Sequence, residues 1–131
     1  MGVVVVTRTL LDRLARAAHP RDRAGVWADL SCARRLPDDG PGIRRLLRDC
    51  ALDAMPPPPG GPHYGKRLEL ARTAAYALGH VHALTRGMPA APEVTRVLAD
   101  VGSTWLAWWA QGGDEAEALH ALGLLWGWQH A

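Results

Sequence analysis

Apolar residues recur at spacings of three and four along most of this chain, and that spacing is the period of an α-helix. No stretch alternates apolar and polar residues over a useful strand length. The inward-facing positions of the expected helices are, in chain order, Leu10, Leu11, Leu14, Ala15 and Ala18; Val26, Trp27, Leu30 and Ala33; Ile43, Leu46, Leu47 and Cys50; Leu68, Ala71, Ala75, Leu78 and His82; Val94, Leu98, Val101, Trp105 and Trp108; and Ala116, Leu119, Leu122 and Trp126. The pattern predicts an all-α fold, a compact bundle of five to six helices.

Capping residues, prolines and glycines divide this pattern into separate helices. In the first half, Thr9 and Asp12 resemble a capping box for the first helix, and Pro20 ends that helix. Asp22 is the expected N-cap of a second helix that runs to about Arg35. A turn from Pro37 to Gly40 follows, with Asp39 as the cap of the third helix and Pro41 in its first turn. In the second half we expect a helix from about Lys66 to Arg86 ended by Gly87, a helix from Pro92 or Glu93 ended by Gly112-Gly113, and a last helix capped by Asp114. Val3–Val6 could form a strand by composition but has no second strand to pair with, so we interpret it as a helix lead-in or a packed arm.

A proline-rich stretch interrupts the middle of the chain, with the sequence Met55-Pro-Pro-Pro-Pro-Gly-Gly-Pro62. Four successive prolines favour an extended polyproline II conformation rather than a helix. The chain has 131 residues, which suits one hydrophobic core and leaves too little for two. We therefore expect a single helical domain over residues 1–131, with a surface loop at residues 55–65 between two helical halves.

Charge is unevenly distributed between these halves. Residues 1–72 carry 13 basic and eight acidic residues, whereas residues 73–131 carry two and five. Fourteen of the 15 basic residues are arginine, whose planar guanidinium matches phosphate and carboxylate oxygens. A basic half of this kind favours an anionic partner, and RNA or single-stranded DNA is the partner that we expect.

Two arginine clusters flank the predicted turn between the second and third helices. The expected contacts to a nucleic-acid backbone are Arg34, Arg35, Arg44, Arg45 and Arg48, followed by Lys66, Arg67 and Arg72. Contacts of this kind bind phosphate without reading base sequence, and their strength falls with salt. The alternative is that these arginines form solvated helix faces and pair with Asp38, Asp39 and Asp49.

The sequence contains no arrangement typical of a catalytic or metal site. His80 and His82 are two residues apart, so on a helix they point in different directions and cannot share one ion. No Ser-His-Asp, Cys-His or phosphate-binding glycine motif occurs. We expect no catalytic residue, no metal and no cofactor, and hence a protein that is not an enzyme. Cys32 and Cys50 lack paired spacing, and the first residues lack a signal peptide or membrane span, so we place the protein in the cytoplasm.

Tryptophan is the other unusual feature, with six residues in a chain that contains no phenylalanine. Trp126 and Trp128 cannot both face inward on one helix, so at least one indole should be exposed or meet a partner. Trp109 and Trp128 are the expected protein-interface residues. Two further interpretations remain open: a Trp-lined bundle that binds a small molecule, including an enzyme of specialised metabolism, and an adaptor that binds proteins and oligomerises through exposed tryptophans.

Several segments resemble the small subunit of CRISPR effector complexes of the Cascade type. They are Trp27 to Arg35 (WADLSCARR) followed by a turn and Ile43 to Leu47, the alanine-rich segment Ala71 to Leu78, and the late segment Leu106 to Ala110. This resemblance implies a non-catalytic, helical scaffold subunit. Several copies would pack along the backbone subunits of the complex, with the arginines named above holding guide–target duplex or displaced strand.

Overall fold

Six α-helices account for most of the residues that the structure describes. A computed structural model describes residues 7–36 and 40–126. The helices within these ranges are α1 (Thr7–Arg16), α2 (Pro20–Ser31), α3 (Gly40–Asp53), α4 (Tyr64–Leu84), α5 (Ala91–Ala110) and α6 (Glu115–Trp126). The predicted all-α bundle is confirmed, with six helices and no strand in the described ranges. The predictions for Val3–Val6 and for Asp39 lie outside the described residues.

The C-terminal ends of α4 and α5 and the start of α6 lie close to the expected signals. Gly87 and Gly112 adopt positive φ angles of 76° and 102° just after α4 and α5, a conformation that glycine takes without steric cost. At the start of α6, the backbone N–H of Glu117 donates to Asp114 Oδ1 at 2.9 Å. Asp114 therefore caps α6 as predicted, because its carboxylate satisfies an N–H group that has no partner within the helix.

The first two helices correct the expected boundaries. Thr9 lies inside α1, which already includes Thr7, so the predicted capping box does not form there. α2 begins at Pro20 with His19 at the N-cap position, because proline fits the first helical turn, where no N–H is needed. Asp22 therefore lies in the first turn of α2 instead of capping it. α2 also ends at Ser31, earlier than the predicted Arg35.

α4 is the central helix and contacts α2, α3, α5 and α6. The N-terminal parts of α2 and α4 lie together, because Arg21 and Lys66 border the same cleft. Their later parts also meet, since His80 Nε2 donates a hydrogen bond to the carbonyl of Ala33. α2 and α4 therefore run in the same direction. Small residues make this central position possible, and the fully buried ones on α4 are Ala71, Ala74, Ala75 and Ala77.

Three buried indoles hold the end of α3 and the loop that follows it. Trp27 Nε1 donates to Asp53 Oδ2 at 2.8 Å, and Trp105 Nε1 donates to the carbonyl of Ala54 at 2.7 Å. Trp108 Nε1 donates to the carbonyl of Pro57 at 2.9 Å. All three side chains lie in the hydrophobic core. The proline-rich loop therefore starts from a point that is fixed by side chains of α2 and α5.

Candidate nucleic-acid interface

The third helix separates its apolar and basic residues onto different faces. Its buried positions are Ile43, Leu46, Leu47 and Cys50, as the helical period predicts. Arg44, Arg45 and Arg48 fall between them and are exposed. Because residues 44 and 48 are one turn apart, these two side chains lie on the same side of α3. α3 thus presents three guanidinium groups within five residues.

These three arginines border a groove between α3 and α5. The groove has a volume of about 420 Å³. Its apolar lining comes from Leu47, Ala51, Leu52, Met55, Val97 and Val101. Glu93 and Asp100 of α5 line the same groove and carry the opposite charge. The groove is therefore basic along its α3 edge and acidic along its α5 edge.

Only one of the three groove arginines has a carboxylate partner in the described part of the chain. Arg44 Nε lies 3.3 Å from Glu93 Oε2, and the Arg44 side chain is 69% exposed. An ion pair this exposed contributes little to stability, because water and salt screen it. Within residues 7–36 and 40–126, Arg45 and Arg48 form no ion pair. Their charges remain available to an anionic ligand.

Arg34 and Arg35 lie at the end of the bundle where α3 begins. They follow Ala33, whose carbonyl accepts a hydrogen bond from His80 in the second half of α4. The next residue, Leu36, is buried beside Ile43 of α3, so the chain returns directly toward the arginine-bearing helix. Both arginines are exposed, and neither forms an ion pair within the described ranges. Asp38 and Asp39, the alternative partners, lie outside those ranges.

The second group of expected contacts lies elsewhere. Lys66 and Arg67 are exposed in the first turn of α4, at the end of the bundle opposite to Arg34 and Arg35. Fourteen residues of helix separate Lys66 from His80, which corresponds to about 21 Å along the axis. Arg72 is half-buried, and its Nη1 lies 3.0 Å and 2.9 Å from the two carboxylate oxygens of Glu117. The structure thus brings Arg44, Arg45 and Arg48 together at one groove, places Arg34 and Arg35 near the start of the same helix, and sets the second group apart.

The expected interface tryptophans have different environments. Trp109 is half-buried and packs against the core, while Trp128 lies outside the described residues. Trp126, on the last turn of α6, is 47% exposed. Ala116, Leu119 and Trp126 were expected to face inward, and all three are exposed, because α6 instead turns Ala118, Ala121 and Leu125 toward the core. The other exposed large apolar side chains in the described ranges are Leu52 and Leu106.

The described side chains do not assemble into a recognisable metal site. Within residues 7–36 and 40–126, no group of three histidine, cysteine or acidic residues could hold an ion. His80 uses its Nε2 to bond the backbone carbonyl of Ala33, just after α2, and so has a structural role. In the same described ranges, no helix is both long and apolar enough to cross a membrane.

Searches for relatives provide no family assignment. No protein-family model, no curated protein and no solved structure matches the chain at a significant level.

Proposed function

We propose that this protein is a non-catalytic nucleic-acid-binding subunit. Its contacts to the phosphate backbone are Arg34, Arg35, Arg44, Arg45 and Arg48. The observation that carries the proposal is the exposure of Arg44, Arg45 and Arg48 on one edge of α3. Among the described residues, their one ion pair is the exposed contact between Arg44 and Glu93. Like charges one helical turn apart repel one another, and a bound polyanion relieves that repulsion.

The groove supports a single strand better than a rigid duplex as the ligand. Its arginine edge suits phosphates, while Glu93 and Asp100 on the α5 edge repel them. A strand lying along α3 would keep its phosphates on the arginines. Its bases would then face the apolar lining and the two carboxylates, which accept hydrogen bonds from base amino groups.

The resemblance to small subunits of Cascade-type CRISPR effector complexes extends this proposal to an assembly. In that setting the protein is present in several copies, and other subunits of the complex are its protein partners. Exposed Leu106, Leu119 and Trp126 offer apolar contact area on α5 and α6 for such partners. A Trp-lined small-molecule pocket has less support, because the indole N–H groups of Trp27, Trp105 and Trp108 already bond protein oxygens.

The test replaces the two groove arginines that have no described carboxylate partner, in an Arg45→Ala/Arg48→Ala variant. Keeping Arg44 leaves Glu93 paired. We expect at least a tenfold loss of affinity for a labelled 20-nucleotide RNA or single-stranded DNA at low salt. The slope of log K against log salt should fall by about 1.4, since each single-strand phosphate contact contributes about 0.7. Fluorescence anisotropy over a salt series measures both quantities.

The matched control is an Arg8→Ala/Arg16→Ala variant, which removes two exposed arginines from α1. It lowers the net charge by the same amount but leaves the groove intact, so it should keep most of the wild-type affinity and slope. Equal losses in the two variants would show that net charge alone drives binding. Unchanged binding of the groove variant would refute the proposal.

A further inference from the structure

A second basic cluster surrounds a cleft at the opposite end of the bundle. The cleft lies between the starts of α2 and α4 and has a volume of about 470 Å³. Four of its lining side chains carry basic or ionisable nitrogen, and they are His19, Arg21, His63 and Lys66. Volumes of this size are typical of small-molecule sites. The cleft is separate from the groove between α3 and α5, since the two share no lining residue.

The backbone adds to the positive potential of these side chains. His19 and His63 are the N-cap residues that precede α2 and α4, and neither imidazole makes a capping hydrogen bond. Because α2 and α4 run in the same direction, the positive ends of both helix dipoles lie at this cleft. The dipoles act mainly through their positive potential, because Pro20 has no N–H and the N–H of Asp22 already donates to the carbonyl of His19 at 3.0 Å.

Two carboxylates oppose this potential. Glu69 lines the cleft, and Asp22 is exposed in the first turn of α2. In the described part of the chain, neither forms an ion pair with Arg21 or Lys66. Both cations are thus free to contact a ligand, and the two imidazoles offer ring nitrogens for hydrogen bonds. The positive ends of the two helix dipoles add to the potential, so the cleft favours a compact anionic group.

The remaining lining is apolar and comes from Pro20, Ala24 and Leu70. A fully polar anion would leave this wall without a partner, whereas a ligand with an organic part would cover it. We propose that the cleft binds a small molecule that carries a phosphomonoester or a diphosphate. Its phosphate oxygens accept hydrogen bonds from Arg21, Lys66 and the imidazoles, and its organic part packs on the apolar wall.

The experiment titrates the protein with pyrophosphate and with adenosine monophosphate, with sodium chloride at matched ionic strength as the control for screening. Two-dimensional NMR follows the backbone amides and the imidazole signals. We expect saturable shifts at His19 and His63, with a dissociation constant below about 1 mM, and no shift at His120, an exposed histidine of α6. If adenosine monophosphate binds more tightly than pyrophosphate, the apolar wall contacts the organic part of the ligand.

Single substitutions on each side of the cleft make the test specific. Arg21→Ala and Lys66→Ala should each weaken pyrophosphate binding about tenfold, whereas Arg45→Ala in the groove should leave it unchanged. All three side chains are exposed, and circular dichroism checks that each variant keeps its helical content. Shifts that do not saturate, shifts that chloride reproduces, or equal effects of Arg21→Ala and Arg45→Ala would each overturn the proposal. None of these outcomes depends on nucleic-acid binding by the groove.

Discussion

At the scale of single residues, Asp53 at the end of α3 joins that helix to α2. Its Oδ2 accepts hydrogen bonds from Trp27 Nε1 and from Arg23 Nε, both at 2.8 Å. The Asp53 side chain is 13% exposed and the indole of Trp27 is fully buried. A buried indole N–H without an acceptor is unfavourable, because it has lost its hydrogen bonds to water. Asp53 thus lets a tryptophan enter the core while its one polar group stays satisfied.

We predict that Asp53→Ala lowers the free energy of unfolding by about 3 kcal/mol, because it leaves a buried indole N–H and a partly buried guanidinium without their acceptor. Urea denaturation followed by circular dichroism measures the change.

Asp29→Ala is the control for this prediction. Asp29 also pairs with an arginine, Arg13, but its side chain is 60% exposed. Because water screens that pair, its loss should cost less than about 1 kcal/mol. Similar losses for the two variants would show that Asp53 has no special role in the core.

At the scale of helices, the approach of α6 to α4 depends on Gly79. A Cβ atom built at this position would lie 2.3 Å from the carbonyl oxygen of Leu124 and 3.0 Å from that of Leu125. Both oxygens belong to the backbone and cannot move without displacing α6. The absence of a side chain at Gly79 therefore sets the distance between these two helices.

We predict that Gly79→Ala destabilises the protein by about 3 kcal/mol, because the added methyl group forces α6 away from α4. Helix propensity alone predicts the opposite sign, since alanine is favoured over glycine in a helix by up to about 1 kcal/mol. Thermal denaturation determines which effect is larger.

Gly65→Ala is the matched control on the same helix. A Cβ atom at Gly65 would have no neighbour within 4 Å. This variant should therefore be as stable as the wild type or slightly more stable. A Gly79→Ala variant that is also more stable would show that α6 adjusts freely and that the close contact has no energetic consequence.

At the scale of the whole molecule, packing brings together basic and acidic residues that lie in different halves of the sequence. The chain has a basic first half and an acidic second half, yet the helices of the two halves pack side by side. Ion pairs cross between them, from Arg44 to Glu93 and from Arg72 to Glu117. Among the basic side chains of the described residues, Arg45 and Arg48 lie at the α3 groove, whereas Arg21 and Lys66 lie at the cleft between α2 and α4.

The stability of the whole fold also depends on one buried thiol. Cys50 lies in the core between α3 and α4, and its Sγ donates to the carbonyl of Ala74 at 3.3 Å. Burial raises the pKa of the Cys50 thiol, and the nearby carboxylates of Asp53 and Asp49 raise it further. The folded protein therefore keeps this proton at a pH where the unfolded chain releases it.

We predict that the free energy of unfolding falls as the pH rises above about 8.5, the ordinary pKa of a thiol. Above that pH the unfolded state binds fewer protons than the folded state, so deprotonation favours unfolding. The Cys50 contribution should amount to about 1 kcal/mol between pH 8 and pH 9.5. Urea denaturation across this range measures it.

The control for the pH series is Cys50→Ala, which should lack this contribution. Both proteins carry Cys32→Ala as well, so that Cys50 is the one thiol under comparison. Other titrating groups are common to both proteins, and their effects cancel in the difference. An identical decline with pH in both would assign the effect to groups other than Cys50.

The helices and many of their ends follow from the sequence alone. The spacing of Ile43, Leu46 and Leu47 predicts which face of α3 is buried, because the helical period is a local property of the backbone. The signals at Gly87 and Asp114 are equally local, since each acts within one helical turn. The start of α2 was predicted wrongly, because Asp22 is a stronger N-cap residue than His19 and lies within the first turn of the helix.

Only the tertiary structure decides which residues of different helices come together. Trp27 and Asp53 are 26 residues apart, and nothing in their local sequence marks them as partners. The directions of α2 and α4 likewise decide that Lys66 lies far from Arg34. They also decide that His19 and His63 border the same cleft. The sequence determined the helices and most of their buried faces, with α6 as the exception, because hydrogen bonds and side-chain periodicity act over a few residues. The packing of those helices decided the groove, the cleft and the roles of the tryptophans.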